Sequence, residues 1–119
     1  MKDEWVIEFY RDESGNAPVD DFLDSLDGAT HTRFIWSIEQ LRVRNIRAKE
    51  PLVKHVQDKI WELREESNTN TYRILYVFFS GKRIILLHGF TKKTRKLPRK
   101  DLDIALKRLA HFLSEKGGK

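Results

Sequence analysis

Arg64 and Arg73 stand on two neighbouring segments, of which Ile60–Arg64 alternates between two faces and Thr71–Phe79 is a strongly β-prone run. Both patterns predict β-strands. If the strands pair across the polar segment 65–70, the two arginines come within a few residues of facing each other. Two guanidinium groups that converge on one surface can clamp a phosphate. Alternatively, Arg73 pairs with Glu62 on the neighbouring strand, because an unpaired buried guanidinium is costly.

A basic connection follows the last predicted strand, from Phe90 onward. Eight Lys or Arg and no Asp or Glu lie between Gly81 and Lys100, which indicates a polyanionic partner, most commonly a nucleic acid. An aromatic residue followed by cations fits base stacking with phosphate contacts. A hydrophobic anchor followed by a solvated loop is the alternative interpretation. The candidates for RNA contact are Lys54, His55, Phe90, Lys93, Arg95 and Lys96.

Candidates for proton transfer are fewer. His55 lies beside Lys54 in a basic segment, whereas His88 alternates into a strand and is expected to pack there. A lysine crowded by other cations has its ammonium form disfavoured, so Lys92 or Lys54 can serve as a base. No two histidines have the spacing of a metal site, and we expect neither a metal nor another cofactor.

The composition of the 119 residues narrows the class of protein. The net charge of +5 is uneven, because residues 1–30 hold two basic and nine acidic side chains. The absence of cysteine excludes disulfides, thiolate zinc sites and cysteine nucleophiles. Charged residues follow Met1 directly, and no apolar run approaches the roughly 20 residues that span a bilayer. We therefore expect a cytoplasmic protein without membrane contact.

Hydrophobic periodicity predicts the element order β-α-α-β-β-β-α. Helical stripes run over Pro18–Leu26, over residues 30–46 and after Pro98. Alternation predicts strands over Trp5–Tyr10 and Ile60–Arg64, and strongly β-prone runs predict two more over Thr71–Phe79 and Arg83–Phe90. Ser80-Gly81-Lys82 predicts a tight hairpin. We therefore predict a single α+β domain over residues 1–119, with a mainly antiparallel sheet and helices packed on one face.

Three ordered motifs are more specific than any of these patterns alone. They are Trp-Glu-Leu-Arg at 61–64, Tyr-Arg-Ile-Leu-Tyr at 72–76 and Leu-His-Gly-Phe-Thr-Lys-Lys-Thr at 87–94, followed by Pro98. This combination resembles the HigB-type toxins of the RelE/ParE superfamily, a group that includes phage-derived members. The resemblance covers essentially the whole chain.

The resemblance implies a RelE-like fold and ribosome-dependent, metal-independent cleavage of mRNA. It also implies a neighbouring antitoxin, usually a helix-turn-helix protein, that blocks the active face. Arg64, Arg73 and Lys92 match the catalytic positions of the family's motifs, and Lys93 completes its lysine pair. Relatives often carry a Tyr or His close to the C-terminus, but no tyrosine follows Tyr76 here. The general acid and base therefore stay unassigned.

Two other functions fit the same sequence. A ParE-like toxin would inhibit DNA gyrase, although the arginines and lysines of this chain argue against that class. A basic nucleic-acid-binding domain of the same fold would bind without cleaving, and its affinity would fall steeply with salt.

Overall fold

The computed structural model describes residues 4–49, 52–67, 70–92 and 96–117. Within these ranges the chain forms a five-stranded sheet in the order β1-β5-β4-β3-β2. β1 runs parallel to β5, and the other neighbours are antiparallel. The elements are β1 Val6–Phe9, α1 Pro18–Asp24, α2 Gly28–Arg44, a 3₁₀ turn Asn45–Arg47, β2 Val53–Gln57, β3 Ile60–Ser67, β4 Asn70–Phe79, β5 Arg83–Lys92, α3 Arg99–Phe112 and a π-helical turn Leu113–Gly117.

The predicted α+β class with a mainly antiparallel sheet is confirmed, but one strand was missed. β2 pairs with β3, which makes the order β-α-α-β-β-β-β-α. Only Val53 of this edge strand is fully buried, and its register shifts between His55 and Gln57. An exposed edge strand carries no apolar alternation, so this segment has no hydrophobic signature that would predict a strand.

The prediction that the helices share one face of the sheet is wrong. α1 and α2 cover one face, where Leu63 and Ile74 pack against Phe34 and Leu41. α3 covers the opposite face, where its buried side chains pack on the strand residues that alternate with the first set, such as Leu75. Hydrophobic side chains occur on both sides of the central strands, so each face needs its own helical cover.

Local chemistry explains where the elements begin and turn. Pro18 occupies the first turn of α1, where its missing N–H is not needed. Asp27 caps α2 by accepting a hydrogen bond from the backbone N–H of Thr30. The predicted hairpin between β4 and β5 is confirmed, with Gly81 and Lys82 both at positive φ. Among the described helices, none combines the length and apolar character needed to cross a bilayer.

Candidate active site

A single buried carboxylate on β3 gathers three cations. Glu62 is 1% exposed, and its Oε1 lies 3.0 Å from Arg73 Nε and 3.7 Å from Arg64 Nε. Its Oε2 lies 3.7 Å from Lys92 Nζ. The three residues predicted to be catalytic are thus brought together around one glutamate. We call Glu62, Arg64, Arg73 and Lys92 the Glu62 cluster.

Strand register places these side chains on one face of the sheet. The sequence pattern predicted that the two arginines come within a few residues of facing each other, and Arg64 of β3 is the direct cross-strand partner of Arg73 on β4. On the other side of β3, Lys54 is directly opposite Glu62. Directly opposed residues project to the same face, which here is the face covered by α3. The pleat of adjacent strands therefore brings the cations together on this face of the sheet.

The two arginines differ in burial. The Arg73 side chain is 8% exposed and that of Arg64 is 29% exposed. The Nη1 of Arg73 donates to the Tyr72 carbonyl at 3.1 Å. Neither arginine Nε has a hydrogen-bond partner among the described residues, and neither does Glu62 Oε1. The cluster therefore retains donor capacity and two positive charges that its one carboxylate does not neutralise.

Burial also shifts the pKa values of two cations in the Glu62 cluster. It lowers the pKa of the Lys92 ammonium. Glu62 opposes that shift, whereas Arg73, Lys54 and Arg64 reinforce it by repulsion. Burial lowers the pKa of Arg73 as well, again against the attraction of Glu62. The expectation that neighbouring cations disfavour a charged lysine thus applies to Lys92.

A groove of about 260 Å³ lies beside the cluster. Its wall is mainly basic, and Glu62 contributes the only carboxylate among its described lining residues. The Nε2 of His55 is 2.7 Å from the Asp58 carbonyl, so that nitrogen is occupied by a backbone contact. Lys93 and Arg95 lie outside the described residues. The predicted contact residues that line the groove are Lys54, His55 and Lys96, together with Lys92.

Phe90 does not offer a stacking surface. Phe90 is buried in the hydrophobic core beneath α3. Its ring stacks on that of His88, with centroids 5.3 Å apart. The packing of Phe90 agrees with the alternative interpretation, in which this residue is a hydrophobic anchor. We therefore leave Phe90 out of the proposed RNA surface.

Sequence reasoning missed the network that fixes α3 to the site face. The Nε2 of His88 lies 2.7 Å from Asp101 Oδ1, and Arg108 lies 3.3 Å from its Nδ1. This arrangement fits a neutral ring that donates to Asp101 and accepts from Arg108. Burial lowers the pKa of His88 against the attraction of Asp101. The spacing of 13 residues between His88 and Asp101 gives no periodic signal, and only the folded chain joins them.

Comparison with known proteins assigns the chain to a family. Residues 21–110 match the family model described as Phage derived protein Gp49-like (DUF891). The match covers most of the chain, which therefore belongs to this family. The family is of the RelE/ParE-like toxin type, and such a toxin implies an antitoxin partner. No curated protein matches the chain.

Proposed function

We propose that this chain is the toxin of a type II toxin–antitoxin pair and that it cleaves mRNA on the ribosome. The observation that carries the proposal is the Glu62 cluster, in which three cations share one buried carboxylate beside a lysine-lined groove. Uncompensated positive charge in a partly buried site attracts and holds phosphate.

The reaction needs little covalent chemistry from the protein. The ribose 2′-hydroxyl loses its proton and its oxygen attacks the adjacent phosphorus, while the bond to the departing 5′-oxygen breaks. The products are a cyclic phosphate and a free 5′-hydroxyl, once the leaving oxygen takes up a proton. Negative charge grows on the phosphoryl oxygens during attack, and fixed cationic donors stabilise it more than they stabilise the substrate.

The geometry supports a separate role for each cation. Arg64, the more exposed arginine, extends to the phosphoryl oxygens, and Arg73 adds charge from beneath and holds Glu62 in place. Lys92 accepts the proton of the hydroxyl, because burial lowers the pKa of its ammonium. Lys54 and Lys96 line the groove and bind the flanking phosphates. A helix-turn-helix antitoxin would silence the toxin by covering this face.

Dependence on the ribosome follows from the same site. A lysine with a lowered pKa is a modest base, and proximity can supply much of the missing rate enhancement if the ribosome fixes the mRNA in a reactive geometry. Free RNA, which is not oriented in this way, should be cleaved slowly.

Arg64→Gln and Arg42→Gln form a matched pair for testing the proposal. Both arginine side chains are 29% exposed and each lies near a glutamate, but Arg42 lies on α2 beside Glu39, outside the cluster. Induced expression of the unaltered chain without antitoxin should arrest bacterial growth and give codon-phased cuts in mRNA, mapped by primer extension. Arg64→Gln should reduce cutting about 100-fold or more, and Arg42→Gln should leave it unchanged.

Three results would contradict the proposal. Intact mRNA in arrested cells would exclude cleavage, and inhibition of gyrase supercoiling by the purified chain would instead indicate the ParE-like class. Equal cutting by the two variants would remove the Glu62 cluster from the mechanism.

A further inference from the structure

A second groove, of about 510 Å³, opens between α2 and the edge of β3. Its volume lies within the range of roughly 300–1,000 Å³ typical of ligand sites. Trp36 and Arg44 line it from α2, and Arg64 lines it from β3. Arg64 also belongs to the Glu62 cluster, so this groove and the candidate active site share one residue.

The end of β2 explains why Arg64 reaches both places. The β2–β3 ladder begins at the pair Val53 and Leu63, so the β3 edge is no longer paired with β2 beyond Leu63. The Arg64 N–H donates instead to the Leu52 carbonyl, at 3.2 Å. Arg64 therefore lies at the edge of the sheet, near Glu62 on one side and lining this groove on the other.

Trp36 is unusually exposed for a tryptophan. Its side chain is 61% exposed on the middle of α2, although tryptophan is among the most strongly buried residue types on average. An exposed aromatic ring beside cations is the combination on which single-stranded nucleic acids stack. Arg44 and Lys49, both exposed, supply those cations along the same groove.

The lining favours nucleic acid over a protein helix. A helix docking site needs an apolar floor, but among the described lining residues only Trp36 and Leu52 are apolar. The exposed apolar residues Ile35 and Val43 lie outside the groove. Glu65 in the groove is neutralised locally, because Arg33 Nε lies 3.3 Å from its Oε1 and Ser37 donates to its Oε2 at 2.9 Å. Glu66 is the other carboxylate of the lining, and three cations, Arg44, Lys49 and Arg64, line the same groove.

We propose that this groove binds the stretch of single-stranded RNA next to the cleaved nucleotide. One base stacks on Trp36, and the phosphates on either side contact Arg44 and Lys49. We call this stretch of the groove the RNA path. Arg64 lies at the junction between the RNA path and the reacting phosphate. The inference rests on the proposed function, since it names where the substrate of that same site continues.

Binding of an uncleavable RNA tests the path separately from catalysis. A fluorescently labelled single-stranded oligonucleotide with 2′-O-methyl riboses is titrated with the purified full chain, and anisotropy gives Kd. Trp36→Ala should weaken binding about fivefold or more, and Trp36→Phe should recover part of it, because a smaller ring still stacks. Val43→Ala, an exposed apolar residue of the same helix outside the groove, should leave Kd unchanged.

Salt dependence tests the phosphate contacts. Each contact with single-stranded nucleic acid contributes about 0.7 to the slope of log K against log salt. The double variant Arg44→Gln/Lys49→Gln should therefore reduce the slope by about 1.4. Arg42→Gln should not change the slope.

The outcomes separate this inference from the proposed function. If the unaltered chain cuts mRNA but Trp36→Ala binds and cuts like it, the path is wrong and the toxin activity stands. Loss of antitoxin rescue by Trp36→Ala without loss of RNA affinity would likewise overturn the path and assign the groove to a protein. If the chain never cuts mRNA yet Trp36→Ala weakens RNA binding, the assignment of the groove to single-stranded RNA stands and the nuclease proposal fails.

Discussion

Arg64 and Arg73 face each other directly across the β3–β4 ladder, and the Nε atoms of both lie within 4 Å of Glu62 Oε1. Like charges placed opposite one another destabilise a sheet. The carboxylate of Glu62 offsets this repulsion, so the same contact that builds the proposed phosphate site also stabilises the fold. In these residues the proposed phosphate binding and the stability of the fold depend on the same contact.

Removing the buried arginine should therefore destabilise the protein. Arg73→Ala leaves Glu62 with only the two more distant cations, at 3.7 Å. The expected loss is at the lower end of the roughly 3–5 kcal/mol that follows from breaking a buried pair, which lowers Tm by about ten degrees. Thermal unfolding measures it. Arg73→Lys should recover part of the loss, and an unchanged Tm with lost cleavage would give Arg73 a role at the substrate alone.

The cleavage rate should rise with pH as Lys92 loses its proton. Burial lowers the pKa of Lys92, so the midpoint should lie below the ordinary lysine value of about 10.4. Cleavage by programmed ribosomes, measured against pH, gives this midpoint. Glu62→Gln removes the charge that raises the pKa of Lys92 and should move the midpoint to lower pH. A profile that Lys92→Met leaves intact would exclude Lys92 as the base.

Two tyrosines give stability changes of opposite sign. Tyr76 is fully buried, and its hydroxyl has no hydrogen-bond partner in the described part of the chain. Tyr76→Phe removes this unsatisfied group and should raise the free energy of unfolding by about 1 kcal/mol. The Tyr10 hydroxyl lies 2.7 Å from His111 Nδ1, so Tyr10→Phe should lower it by about the same amount. Denaturant unfolding of both variants compares them, and equal signs would be inconsistent with this explanation.

Gly89 on β5 is required by the close approach of α1. A Cβ at this position would lie 2.3 Å from Cδ2 of Phe22. Gly89→Ala should therefore cost about 1–3 kcal/mol, the usual cost of overpacking. Gly28→Ala is the control, because a Cβ there has no neighbour within 4 Å among the described residues. Recovery of stability when Phe22→Leu is combined with Gly89→Ala would confirm the contact, and a neutral Gly89→Ala would contradict it.

Acidification should weaken the attachment of α3 through His88. Burial lowers the pKa of His88 in the folded state, so the unfolded chain takes up the proton first as pH falls below about 6.5. The free energy of unfolding should then decrease by up to about 1.4 kcal/mol per pH unit until the folded state also protonates. Unfolding measured across this range should show a flatter profile for His88→Gln. An equally steep profile in that variant would exclude His88 as the cause.

Sequence periodicity was sufficient for the parts of the site that depend on neighbouring residues. Alternation placed Arg73 on the face of Leu75 and Val77, and the polar segment after Arg64 indicated which strands pair. These two facts predict that Arg64 and Arg73 lie near each other, whereas the register that opposes them directly is known only from the structure. The pairing of Arg73 with Glu62, one of two interpretations left open by the sequence, could not be selected without knowing which charges become buried.

The amino-acid sequence by itself determined the alternating faces, most of the elements and the group of cations, because backbone period and charge are local properties. The tertiary structure alone decided that α3 lies on the opposite face from α1 and α2, that Lys92 shares Glu62 with the arginines, and that Trp36 and Arg64 line one groove. These outcomes depend on which surfaces pack together over long separations in the chain. Burial then lowers the pKa of Lys92 and of His88, and no pattern of neighbouring residues contains that information.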